Sequence, residues 1–205
     1  MPNICISCGA SITIHNPASV SIACEYCDCV MMWDEQSLKD SGTQSRLPEG
    51  YSRLYRGASG SIDNRRFQVL GRVRYQFNRG FWDEWYIIFA DGEGAWITEN
   101  DYQFSIQRKI DAPLFQRRPK YKMGESITVA SQDFQIQELG YARCMGIEGE
   151  LPKEIDPNEN YVYIDATSYD GKSCLGLELR EPPAIYVGTW LKGTQIQLDD
   201  ETLDW

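Results

Sequence analysis

From Arg72 to Phe77 polar and apolar residues alternate, so Val73, Tyr75 and Phe77 fall on one face of an extended chain and Arg72, Arg74 and Gln76 on the other. Trp85 to Ala90 is a second apolar run, which enters Asp91-Gly92-Glu93-Gly94 and leaves through Ala95 to Thr98. An Asp-Gly pair between two such runs predicts a hairpin, because glycine accepts the positive φ of a tight turn. The same order of events returns downstream. Phe134-Gln135-Ile136 with Leu139-Gly140 matches Phe67-Gln68-Val69 with Leu70-Gly71, and Tyr161 to Ile164, Asp170-Gly171 and Cys174 to Leu179 match the Trp85 hairpin. Gly60-Ser61-Ile62 precedes the first copy and Ser126-Ile127 the second. The pattern predicts a mainly β fold with two duplicated small β-barrel or β-meander units, over residues 51–112 and 113–196. Helical periodicity is scarce. Gly146 to Asn160 is expected as a loop enlarging the second unit, and Ile185 to Leu191, after Pro182-Pro183, as a last strand at a sheet edge.

The first forty residues hold five of the seven cysteines and no base before Lys39. Cys5-Ile-Ser-Cys8 and Cys24-Glu-Tyr-Cys27 are two C-x2-C pairs fifteen residues apart, the spacing of a four-thiolate zinc site. Two intervening residues let a tight turn aim both sulfurs at one point while backbone N–H groups face the thiolates. Gly9 suits the left-handed position after the first knuckle, and Asp28 stands at its counterpart in the second. Four thiolates leave no open position, so the expected Zn2+ is structural and its binding supplies folding free energy to a small module. Cys29 is the spare thiol. A zinc ribbon over residues 1–40 is expected, with Ile12 to Ile14 pairing Ser19 to Ala23 and His15 as a turn residue between them. A linker over 41–50 follows, and residues 197–205 read as an acidic tail.

Composition narrows the function classes. The 205 residues are 42% apolar and carry a net charge of −10, enough apolar content for a folded core and the wrong sign for a general nucleic-acid binder. The charge is uneven: residues 41–80 hold eight Arg against two acids, whereas residues 123–205 hold five bases against sixteen acids. Nucleic-acid binding through the Arg-rich segment 46–79 is the disfavoured reading; basic and acidic modules facing each other is the plainer one. With His15 as the only imidazole, no Ser-His-Asp or Cys-His arrangement is available in the β region, and no phosphate loop is present, so an enzyme is not expected. Trp82, Asp83, Glu84, Trp85 and Trp96 form an aromatic and acidic concentration that suits either a barrel core or a ligand groove for an organic cation. The start lacks the pattern of a signal peptide and no apolar stretch is long enough to span a membrane, which predicts a cytoplasmic protein.

At "RLPEGYSRLYRGASG" (46–60), "FQVLGRVRYQ" and "WDEWYIIFADGEGAWITE", the sequence resembles the bacterial family catalogued as domain of unknown function 4178, over roughly residues 50 to 190. The resemblance implies a cytoplasmic bacterial protein with an N-terminal zinc ribbon, in a genomic setting of polyamine-synthesis and membrane-stress genes. It brings no catalytic residues with it. The expected function is a non-catalytic zinc-ribbon adaptor that binds a protein partner, with peripheral membrane association open to it. The alternative is a sensor of a polyamine-like cation.

Overall fold

The computed structural model describes residues 3–33, 37–48, 52–155 and 160–200. Its elements are set by turns. β6 (Ser59–Ile62) reverses into β7 (Arg65–Phe77) through Asp63-Asn64, β9 (Gly94–Asn100) into β10 (Gln103–Lys109) through Asp101-Tyr102, and β11 (Ser126–Val129) into β12 (Gln132–Leu151) through Ala130-Ser131. All six turn residues have positive φ, from 47° to 65°, the signature of the two-residue hairpin whose twist matches the strands. Gly92 (φ 87°) turns β8 (Gly80–Phe89) into β9, and Gly171 (φ 70°) turns β13 (Asn160–Ser168) into β14 (Ser173–Leu179).

β7 to β10 form one antiparallel meander, and β12 to β14 with β15 (Ala184–Leu191) form another. Two seams join them. Phe104 to Lys109 of β10 pair with Leu191 to Tyr186 of β15, and Arg143 to Gly149 of β12 pair with Gln76 to Gly71 of β7, closing a ring of eight strands. Two runs of five strands, β6–β10 and β11–β15, therefore repeat one order, but each alone is an open meander and the ring needs both. β15 is not an edge: it lies between β10 and β14, and Pro182-Pro183 sit in the turn before it, where no ladder bond is lost.

β12 is the longest strand among the described residues, and its last six residues, Gly146 to Leu151, are the first part of the expected loop, of which residues 156–159 lie outside the described residues. It pairs in succession with β11, β13, β7 and β3 (Ser21–Ala23), with bulges at Ile136/Glu138 and Cys144/Gly146 that bend it from one partner to the next. Gly149 (φ 68°) is required where β12 crosses β7, since a Cβ there would lie 2.1 Å from the Leu70 carbonyl oxygen.

In the N-terminal module β1 (Asn3–Ile4) pairs β2 (Ser11–Ile12), and β3 pairs β4 (Cys29–Trp33), which pairs β5 (Leu38–Gln44). Each knuckle thus folds back on its own flank, in place of the expected pairing of Ile12–Ile14 with Ser19–Ala23. Leu38–Gln44 is strand across the end of the expected ribbon and into the expected linker, because β4 offers it an edge. β16 (Ile196–Leu198), at the start of the expected acidic tail, pairs β6, and Asp199 forms a two-point ion pair with Arg66. Residues 201–205 lie outside the described residues.

Both outer faces of the ring are apolar and covered. Trp85, Ile87, Ile97 and Phe104 pack with Leu54, Ile196 and Leu198 on one side; Phe134, Ile164, Leu175 and Ile185 pack with Ile127, Val129 and Phe115 on the other. Ala23 and Val30 of the ribbon join Leu70, Ile147, Leu151 and Ile155 against Tyr86 and Trp96, so the ribbon closes one end of the barrel.

Candidate functional site

The two knuckles are built alike. Cys5 N–H donates to the Ala10 carbonyl (2.7 Å) and Gly9 N–H to the Cys5 carbonyl (2.8 Å); Cys24 N–H donates to Cys29 (2.9 Å) and Asp28 N–H to Cys24 (3.0 Å). Gly9 (φ 78°) and Asp28 (φ 59°) take the same left-handed position. Backbone N–H groups of Ser7 and Cys8 face the Cys5 sulfur, and those of Tyr26 and Cys27 face Cys24. The four sulfurs of Cys5, Cys8, Cys24 and Cys27 lie within 4.8 Å of one another, with Cys5–Cys27 at 3.7 Å and Cys8–Cys24 at 3.8 Å. A tetrahedron of metal–sulfur bonds of about 2.3 Å has edges of about 3.8 Å, so the set fits one metal ion. Cys29 is outside it: its thiol faces Asp40 Oδ1 at 3.6 Å and is pushed up to about 12, by burial first and Asp40 second.

The ribbon is held by Glu150. This buried carboxylate, where β12 pairs with β3 (Glu150 opposite Ile22), accepts from His15 N–H (2.9 Å), Asn16 N–H (3.1 Å) and Ser19 Oγ (2.8 Å), with His15 Nδ1 at 2.6 Å. Asn16 Nδ2 donates to Tyr86 Oη at 3.1 Å, and the Tyr86 ring packs tilted against Trp96, centroids 5.1 Å apart. The metal module and the barrel interior are therefore in direct contact.

That interior is a cavity of about 530 Å³. Period-two alternation aims Trp82 and Glu84 of β8, Trp96 and Thr98 of β9, Ser105 and Gln107 of β10, and Tyr161, Tyr163 and Asp165 of β13 at it, with Glu178 and Tyr186 from the facing strands. Its closed end holds an ammonium of the chain itself. Lys153 Nζ lies 3.0 Å from Glu178 Oε1 and 3.2 Å from Glu84 Oε2, and 4.6 Å from the centre of the Trp96 ring, with Tyr75 and Tyr186 each at 5.4 Å. Burial alone would lower this lysine; Glu178 and Glu84 overcome it and hold it well above its ordinary value. Such a cage of faces and carboxylates is the usual way proteins bind an organic cation. The Tyr75 hydroxyl beside it is buried without a hydrogen-bond partner among the described residues.

Towards the other end, Glu138 accepts from Tyr163 Oη (2.9 Å) and pairs with Arg79, and Glu178 also holds Arg180 (2.8 Å). Asp165 differs. It faces the lumen, reached by solvent, with no hydrogen-bond or ion-pair partner among the described residues; the surrounding barrel wall first, and then Glu138 and Glu84, push its carboxyl up to about 7, a shift that solvent in the lumen screens. The lumen thus contains one carboxylate with no cation to match it.

Of the five residues expected at a ligand groove, Trp82, Glu84 and Trp96 face the lumen and Asp83 and Trp85 do not. Asp83 lies on the opposite face, bidentate to Arg74 (2.8 and 2.7 Å) with Arg72 at 3.7 Å; Trp85 Nε1 donates there to Glu99 at 3.1 Å. Strand alternation separates them. Lys153, Asp165, Glu178 and Tyr186 complete the site and were missed. The basic segments likewise meet acids in space: Arg56 pairs Glu25, Arg65 pairs Asp91 and Glu93, Arg72 pairs Glu148, and Arg117 pairs Glu181.

Fold and site together define a closed antiparallel β barrel with an aromatic, acidic lumen, capped by a four-cysteine ribbon. Residues 56–193, which span the barrel, match the family model described as Domain of unknown function (DUF4178), and the chain belongs to that family. No curated protein and no solved structure matches the chain. No helix among the described residues is long and apolar enough to cross a membrane.

Proposed function

We propose that this protein binds a small organic ammonium compound in its barrel lumen, and that its ribbon carries a structural zinc ion. The reading rests on Asp165: a solvent-reached carboxylate on the lumen wall with no cation beside it among the described residues, in a cavity of about 530 Å³ whose other end already cages an ammonium. A cavity of this size falls in the range of small-molecule sites. Binding rather than catalysis is the role it suits, since the thiol on the wall, Cys174, is pushed up to about 12, by burial first and with the Asp165 carboxylate adding to it, which holds it as the unreactive thiol. The repeated five-strand order reads as an internal duplication that produced the closed lumen.

A second reading, the adaptor, is favoured by the exposed Ile4, Ile6 and Tyr26 on the two knuckles, a surface suited to a protein partner. The two are compatible, with the lumen as sensor and the ribbon as contact.

The test is thermal unfolding of the metal-loaded chain against primary amines with four to eight carbons. A ligand at 100 times its Kd stabilises by about 2.7 kcal/mol, which raises Tm by roughly 5–10 °C for a domain of this size. Asp165→Asn should abolish the rise. Unchanged Tm across the series at millimolar amine would refute the ammonium reading.

A further inference from the structure

We infer that Lys153 fixes the number of ammonium groups the lumen accepts at one, by permanently occupying a second ammonium subsite. The inference rests on the ammonium reading of the lumen and specifies its ligand class: a compound with a single ammonium, as opposed to a diamine or polyamine.

The charges that face the lumen carry the argument. Glu84 and Glu178 are bridged by Lys153 Nζ at 3.2 and 3.0 Å, and Glu138 pairs with Arg79, which leaves Asp165 alone without a cation. The lysine is built into its place. Its side chain is 14% exposed, three rings surround its ammonium, and its own carbonyl accepts from Ser21 Oγ at 2.9 Å, which ties this part of the chain to the ribbon. A ligand's second ammonium could enter the cage only by evicting Lys153 from two carboxylates, and a displaced lysine would have no equivalent partner in the lumen. Removing the Lys153 side chain instead leaves Glu84 and Glu178 facing a cage that fits an ammonium. A diamine can then bridge Asp165 and the vacated cage.

Matched monoamines and α,ω-diamines of four to eight carbons test this by calorimetry on the metal-loaded full chain, wild type and Lys153→Ala. In wild type the best diamine should bind no better than about threefold over its monoamine. In Lys153→Ala it should gain about tenfold or more, which is about 1.4 kcal/mol, since the second ammonium then meets a desolvated cage of rings and two carboxylates. If Lys153→Ala does not fold in buffer, refolding with each amine makes the same comparison, and the diamine alone should recover it. A tenfold diamine preference in wild type would overturn the inference, because Lys153 would then yield its place. So would a variant that binds monoamines with no gain for diamines, or one recovered by neither amine. Failure of every amine to bind wild type and variant alike would remove the ammonium reading itself, a result distinct from the others.

Discussion

Replacing Asp165 by asparagine removes the unmatched charge from the lumen while keeping the side chain's size, and the effect on stability has a definite sign. The carboxyl is pushed up to about 7 in the folded protein, by desolvation first and by Glu138 and Glu84 after it. In the unfolded chain it titrates near about 3.9. Between these values the folded state keeps a proton that the unfolded state has released, so stability falls as pH rises from about 4 to about 7 and stays at the lower level above that. At about 1.36 kcal/mol per pH unit the whole difference would be about 4 kcal/mol. Asp165 faces a solvent-reached lumen, however, and screening there reduces the figure to about 1–2 kcal/mol. The asparagine variant has no such loss. The two proteins should be equally stable near about pH 4, and the variant should be more stable by about 1–2 kcal/mol at about pH 8. Urea unfolding of the metal-loaded chain in amine-free buffer, taken in steps across this range, measures the difference. Wild-type and variant curves that run parallel through the whole range would refute the placement of an unpaired carboxylate in the lumen.

Two further outcomes concern the ribbon. Cys8→Ser and Cys24→Ser should lose bound zinc, read by elemental analysis, whereas Cys29→Ser, whose thiol faces Asp40 outside the cluster, should keep it; zinc loss in the Cys29 variant would overturn the ligand assignment. Glu150→Ala strips the partner from three buried or half-buried donors and should destabilise the chain by about 3 kcal/mol, with earlier protease cleavage in the first forty residues; wild-type resistance would show that the ribbon is held by other contacts.

Local chemistry was legible where it acts locally. The C-x2-C spacing, Gly9 and the Asp-Gly turns each impose a backbone geometry on a few adjacent residues, and the knuckles and the β8–β9 hairpin follow from them. The alternation of Val73, Tyr75 and Phe77 against Arg72 and Arg74 likewise survives, with the first three in the core cluster around the lumen and the arginines paired on the other face. The two ring seams left no such mark. β10–β15 and β7–β12 join residues about 70 or more apart in sequence, and the β9–β10 and β11–β12 hairpins went unread as well, since Asp101-Tyr102 and Ala130-Ser131 contain no glycine. The lumen was missed for the same reason. Trp82 to Trp85 are neighbours along the chain, but a strand sends 82 and 84 one way and 83 and 85 the other, while the true companions of Glu84 are Lys153 and Glu178, brought in by long-range pairing.

The distribution of polarity argues against a purely structural barrel. Both outer faces of the ring bury apolar side chains, and a third cluster packs inside at the ribbon end, where Val73, Ile147 and Leu151 meet Tyr75, Tyr86 and Trp96; the carboxylates lie within, on the rest of the lumen wall. Replacing buried ion pairs by apolar residues of similar volume is often neutral or stabilising by about 1–4 kcal/mol, and a small barrel filled with Leu and Ile would need no Asp165. The Arg74–Asp83 pair on the outer face shows the contrast: there the charges are matched, two bonds at 2.8 and 2.7 Å, and need nothing further. The lumen has the opposite arrangement, with its rings and hydroxyls aimed at space and one charge left over. An interior that lowers stability in this way has a physical rationale if a cation enters it, because binding then recovers, through the ligand, the electrostatic free energy that folding leaves unmet.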